Sequence, residues 1–172
     1  MDIDRLILDS NHNMEYLSDC LKDVTDSQSK LIPAPGKWSI HQLLEHVYIS
    51  ETAVFELCSV EGTPTERSPF EKIIAIRNYF GDHTQQYISM DMLCPENCNK
   101  STYELIDSIR QIRTKLIQEG STTSWSDEYT AFKHPLLGSM TRYEWVYFNI
   151  YHLDRHTHQM RSIKLMPEIS GV

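Results

Sequence analysis

Apolar positions along the chain recur at intervals of three and four, and no stretch alternates convincingly in the manner of a strand. Ile3, Leu6, Ile7, Met14, Leu17 and Leu21 share one face of a first helix over roughly 2–24. "PAPGKW" then breaks the chain. Ser39 follows as an N-cap, with Gln42 three residues on to complete a capping box. Ile40, Leu43, Leu44, Val47, Val54 and Phe55 carry this second helix to about Cys58, where "VEGTPTERSP" reads as a loop. A third helix from about Pro69 carries Phe70, Ile73, Ile74, Phe80, Tyr87 and Ile88. "STYE" is a second capping box, Ser101 with Glu104, and opens a helix through Leu105, Ile109, Ile112 and Leu116 that stops at Gly120. "TRYE", Thr141 to Glu144, opens the last helix, which Pro167 ends.

Five helices in a chain of 172 residues predict an all-α fold. The expected form is a four-helix bundle with an additional short helix, the whole of 1–172 making one domain. Residues 120–140 carry no regular pattern, and a connection of that length is usually functional or packed as a structure of its own. Trp125, Tyr129 and Phe132 would be costly to leave in water. The segment is therefore expected to pack over one end of the bundle, with room for a short hairpin or helical turn.

Composition narrows the range of partners. The formal net charge is −8 and no basic run offsets it, which argues against a nucleic-acid duplex or an anionic membrane as partner. No apolar run approaches the 18 or so residues of a membrane span. The N-terminus shows no charged n-region followed by an apolar core, so the cytoplasm is the expected location and the four cysteines are expected as free thiols. Cys20 and Cys58 fall in helical patterns as small core residues. The pair in "CPENC", Cys94 and Cys98, lacks the second half of a zinc ribbon.

"YHLDRHTHQM", residues 151–160, changes the picture. At about 100° per residue, Trp145, Phe148, Asn149, His152, His156, Gln159, Met160 and Ile163 fall in one arc of roughly 120°. Tyr147, Asp154, His158 and Arg161 lie mostly opposite. The arc faces the core, so His152 and His156 form an inward pair one turn apart, whereas His158 belongs to the outer face. Such a pair is expensive to bury unless a hydrogen-bond network or a metal ion satisfies it. A zinc-protease reading fails, because "HLDRH" has Leu153 where that motif needs a glutamate. His12 is expected in solvent, and His41 lies in the first turn of its helix. A third ligand could come from His46, mid-helix on the flank of the apolar stripe, or from His83 or His134. Angles favour His46 without closing the choice.

Two segments carry a family resemblance. "KWSIHQLLEHVYISE", residues 37–51, and "HPLLGSMTRYEWVYFNIYHLDRHTHQM", residues 134–160, resemble the two signature segments of the DinB-like (DinB/YfiT-like) superfamily of metalloenzymes. The resemblance implies a four-helix bundle holding one divalent metal ion, zinc or nickel, on His46, His152 and His156. Some members have a histidine where this chain has Arg155, outside the ligand pair. Members are often homodimers, and a homodimer is the expectation here. Three neutral ligands would leave a coordination position open, as in a catalytic centre. The resemblance further points to a small-molecule substrate and to a metal-dependent transferase that activates a low-molecular-weight thiol. A non-catalytic metal- or ligand-binding stress-response protein and a metal-dependent hydrolase are the rivals. Asn149 and Gln159 would either bond the non-coordinating imidazole nitrogens or a metal-bound water, or bond between helices. Trp38 and Trp145 are read as core residues.

Overall fold

The computed structural model describes residues 1–85, 87 and 89–170. Four long helices dominate it: α1 (Ile3–Leu21), α3 (Ile40–Cys58), α5 (Thr102–Thr122) and α6 (Arg142–Lys164). Short helices α2 (Asp26–Ser29), α4 (Ile73–Gly81) and α7 (Pro167–Ser170) lie between or after them, and a single 3₁₀ turn spans Asp91–Leu93. The α1, α3, α5 and α6 helices pack as a bundle, α6 touching both α1 and α3, while α4 lies against the outside of α6. The all-α fold read from the sequence is the fold observed. No helix among the described residues is long and apolar enough to cross a membrane.

All three capping boxes form. Ser39, Ser101 and Thr141 each accept from the backbone N–H three residues on, and Gln42, Glu104 and Glu144 reach back to the cap. Glu144 does more than cap. Its fully buried carboxylate also takes the Arg67 guanidinium at 2.7 and 2.8 Å and the Lys72 amide at 2.8 Å, which pins the start of α6 to the loop before α4.

Elsewhere the structure departs from the sequence reading. The first helix stops at Leu21, and Thr25 caps the unforeseen α2. The third helix is shorter than expected. It begins at Ile73, so Phe70 precedes it and is half-exposed, and it ends at Gly81, so Tyr87 lies beyond it. Ile88, assigned to the same helix, lies outside the described residues. The physical reason for the early stop is Arg155, whose guanidinium takes the carbonyls of Phe80, Asp82 and Gln85 and ends the helical ladder there. Pro167 does not end α6, which closes at Lys164; it starts α7 instead, as suits a residue with no N–H to donate.

The long connection is a β-hairpin. Strand β1 (Glu128–His134) pairs antiparallel with β2 (Gly138–Thr141), with an irregular register between Tyr129 and His134. Its anchors are the aromatic residues expected to need cover: Trp125 and Tyr129 are buried, and Phe132 packs against the same cluster. Gly120 is not a helix stop, since α5 runs on to Thr122. A Cβ there would lie 2.6 Å from Trp125 Cζ2, so the glycine exists to admit the indole.

Buried charge also ties the bundle together. Arg113 occupies the inward position of α5 that apolar spacing assigns to Ile112, and it is almost wholly buried. It forms an ion pair with Glu51 of α3, donates to Asn13 Oδ1 of α1 at 2.7 Å and to the Asn149 carbonyl of α6 at 3.2 Å. One side chain thus links all four long helices.

The Gly120 contact makes a test. Gly120→Ala gains about 1 kcal/mol of helix propensity but forces the Trp125 ring out of a packed site, at about 1–3 kcal/mol. The expected result is a thermal midpoint several degrees below wild type, read by circular dichroism. An unchanged or higher midpoint would mean that the indole does not rest on the helix.

Candidate metal centre

His46 is presented by the middle of α3, and His152 and His156 by consecutive turns of α6, the two helices being packed together. All three are buried. His152 Nε2 lies 3.2 Å from His46 Nε2 and 2.9 Å from His156 Nε2. The rings meet nearly edge to face, at interplanar angles of 76°, 79° and 83°, so three imidazoles converge on one point.

The other nitrogens determine what that point can do. His46 Nδ1 lies 2.8 Å from the Leu93 carbonyl and must donate to it. His156 Nδ1 lies 2.7 Å from Gln159 Oε1 and donates likewise. Both rings therefore hold their proton on Nδ1 and present an Nε2 lone pair to the shared point. Ligand nitrogens about 2.0–2.1 Å from one tetrahedral ion sit roughly 3.3 Å apart, close to the spacing seen. The donor set fits a divalent cation of borderline softness.

Electrostatics agree. Burial lowers the pKa of His46; burial and the neighbouring histidines hold His152 well below the ordinary imidazole value; His156 falls to about 3, again through burial first. All three are neutral at pH 7, the form that binds metal.

Of the other histidines, neither sequence-based rival to His46 joins the cluster. His83 stacks on His158 at 4.2 Å, both rings exposed, and His134 packs on Tyr79 and Phe148. His41 is buried against the Lys100 carbonyl, and His12 is exposed. Among the described residues, this is the one group of three or more such side chains close enough to share an ion.

The supporting groups were only partly foreseen. Gln159 holds His156 as one reading had it, whereas Asn149 bonds neither an imidazole nor another helix: both side-chain amide atoms are buried with no partner among the described residues. His152 Nδ1, one turn away on α6, is also unpartnered. The Leu93 carbonyl was missed altogether. It is held in place because Glu45 Oε1 accepts from the Glu96 and Cys98 amides at 3.0 Å each, so the "CPENC" loop serves to aim a carbonyl. A backbone acceptor leaves no signature in a sequence. Nor is α6 two-faced as its helical wheel suggests: Tyr147, among the residues placed opposite the inward arc, is buried and meets Asp9 of α1 at 3.1 Å, because the bundle surrounds the helix.

The three histidines line the wall of a cleft of about 1240 Å³. Trp38 packs partly buried on the core, as expected, and also lines the cleft with its ring 5.1 Å from His46; Phe80 and Phe148 line it too and flank His152 at 5.2 and 5.7 Å. All four cysteines are free, and burial pushes the Cys58 thiol up to about 12, so that residue is an inert part of the core.

The depressed histidine pKa values carry a stability consequence. Below about pH 6.5 the unfolded chain binds protons that these folded imidazoles refuse, so metal-free protein loses stability as pH falls from 6.5 toward 3. The limiting slope is about 1.4 kcal/mol per pH unit for each such histidine. The urea midpoint of metal-free protein is expected to drop between pH 7 and pH 4, and less steeply for His156→Leu. Equal slopes for the two proteins would show that the ring is charged or solvated in the folded state.

Comparison with known proteins agrees with this geometry. No curated protein and no solved structure matches the chain significantly. The family model described as the DinB superfamily matches residues 12–160, a span that contains all three converging histidines. The chain belongs to the DinB superfamily.

Proposed function

We propose that this protein is a metal-dependent transferase that holds one divalent ion, zinc or nickel, on His46, His152 and His156 and activates a low-molecular-weight thiol. The observation that carries the reading is the placement of three converging Nε2 atoms on the wall of a large cleft. A purely structural centre has no use for such access.

A bound divalent ion would supply Lewis acidity, keeping a coordinated thiol ionised at neutral pH. The rest is the work of the chain. Three neutral imidazoles leave the ion its full charge, and the Leu93 carbonyl and Gln159 keep two of them in the ligating tautomer. Trp38, Phe80 and Phe148 keep the centre in apolar surroundings, where electrostatic effects are strengthened. Hydrolysis is less well served. Glu56 is the carboxylate among the cleft-lining residues, and it is exposed; Glu45, beside His46 in sequence, does not line the cleft, and its Oε1 takes the Glu96 and Cys98 amides.

Elemental analysis of untagged protein tests the site. About one ion per chain is expected, absent from the His46/His152/His156 triple-alanine variant. His152→Ala should lose most of the metal and His158→Ala almost none, while Gln159→Leu should weaken affinity about 10–100-fold. Equal losses from His152→Ala and His158→Ala, or no metal in wild type supplied with zinc and nickel, would overturn the assignment. Metal-loaded protein is then expected to transfer small thiols to electrophiles, with no transfer by the triple variant.

A further inference from the structure

His134 closes β1 at the mouth of the hairpin turn, and its imidazole is held in an uncommon way. Nδ1 accepts from the Leu136 and Leu137 amides, each at 3.3 Å. A ring nitrogen that accepts two amide hydrogens carries no proton itself, so the ring proton is on Nε2. That N–H has no acceptor among the described residues, yet the ring is half-buried and lines the cleft. Burial lowers its pKa, so the ring donates without bringing a charge.

Its distance from the histidine cluster is set by a single aromatic ring. Phe148 lies 5.6 Å from His134 and 5.7 Å from His152, centroid to centroid, so the two imidazoles are at most about 11 Å apart. Tyr79 flanks His134 at 5.3 Å. The wall between donor and cluster is therefore aromatic. It also offers little free charge. The Arg155 guanidinium is occupied by the carbonyls of Phe80, Asp82 and Gln85, and Lys37 and Glu56 are exposed.

We infer that the cleft takes a neutral, largely apolar or aromatic electrophile, and that the Nε2–H of His134 binds its hydrogen-bond acceptor oxygen. The inference rests on the proposed function for where such a molecule reacts; the contact with His134 itself requires no metal. A preset, uncharged donor across an aromatic wall from the reacting centre orients such a substrate and discriminates against an analogue without the acceptor, which leaves the N–H unpaired.

The test uses two probes of matched shape, 2-acetylnaphthalene and 2-ethylnaphthalene. Each is titrated into ¹⁵N-histidine-labelled protein, metal-free and zinc-supplied, with NMR reading both affinity and the His134 Nε2 resonance. Wild type should bind the ketone roughly tenfold more tightly than the hydrocarbon, and only the ketone should shift Nε2. His134→Asp keeps an oxygen acceptor for the two turn amides and, ionised, has no hydrogen to donate. It should lose the preference for the ketone and bind the two probes about equally. An undiminished preference in His134→Asp overturns the inference, as does failure of wild type to bind either probe. Preference for the ketone in metal-free protein that takes up no zinc would leave the inference standing and remove the metal-centre reading instead.

Discussion

Helix α6 is surrounded by protein for most of its length, and the structure depends on how its polar side chains are satisfied there. Burying an unpartnered charge costs several kcal/mol, yet Arg142, Glu144 and Arg155 are all buried. Each is answered by a different element: Glu144 by Arg67, Arg142 by the Cys58 carbonyl and the Tyr129 hydroxyl, Arg155 by the carbonyls that follow α4. These contacts position α6 along its whole length. His152 and His156 then face α3 at a fixed depth and register.

The same principle operates across the bundle. Arg113 and Glu51 would each be prohibitive alone, and together with Asn13 and the Asn149 carbonyl they form a cross-link through the interior. Such a network stabilises little relative to a well-packed apolar core, but one correct arrangement of the four helices is required to complete it. It lies beside the histidine cluster, since Asn149 precedes His152 by one turn of α6. Asn149 itself is exceptional. It is fully buried, and its side-chain amide is unpaired among the described residues, as is His152 Nδ1 one turn further along α6.

The cleft follows from the shape of these supports. Aromatic rings of α4 and α6, Trp38 with the segment before α3, and His134 from the hairpin all line it. The "CPENC" loop contributes no thiol to the centre. Its folded form is set by Glu45, and its effect is felt through a single carbonyl on His46. A polar centre is thus supported by backbone groups from a loop and opened to a largely apolar cavity.

Helix starts were legible in the sequence because a capping box is local physics: a side chain and an amide three residues apart decide it. The inward pair His152 and His156 was legible for the same reason, since a turn of helix aligns residues four apart. What remained open required distant groups. His46 meets His152 across 106 residues of chain, and helical angles only favoured it until the family resemblance made the choice; the Leu93 carbonyl meets His46 across 47, and helical angles say nothing about it. The hairpin stood only as one option beside a helical turn, because its strands are short and its register is irregular, and the early end of α4 escaped notice because the Arg155 that takes the carbonyls there comes from another helix. By itself, the sequence determined where helices begin and which faces seek the interior. The tertiary structure alone decided which tautomers the cluster holds and that a cleft reaches it, because each depends on groups brought together by packing rather than by proximity in the chain.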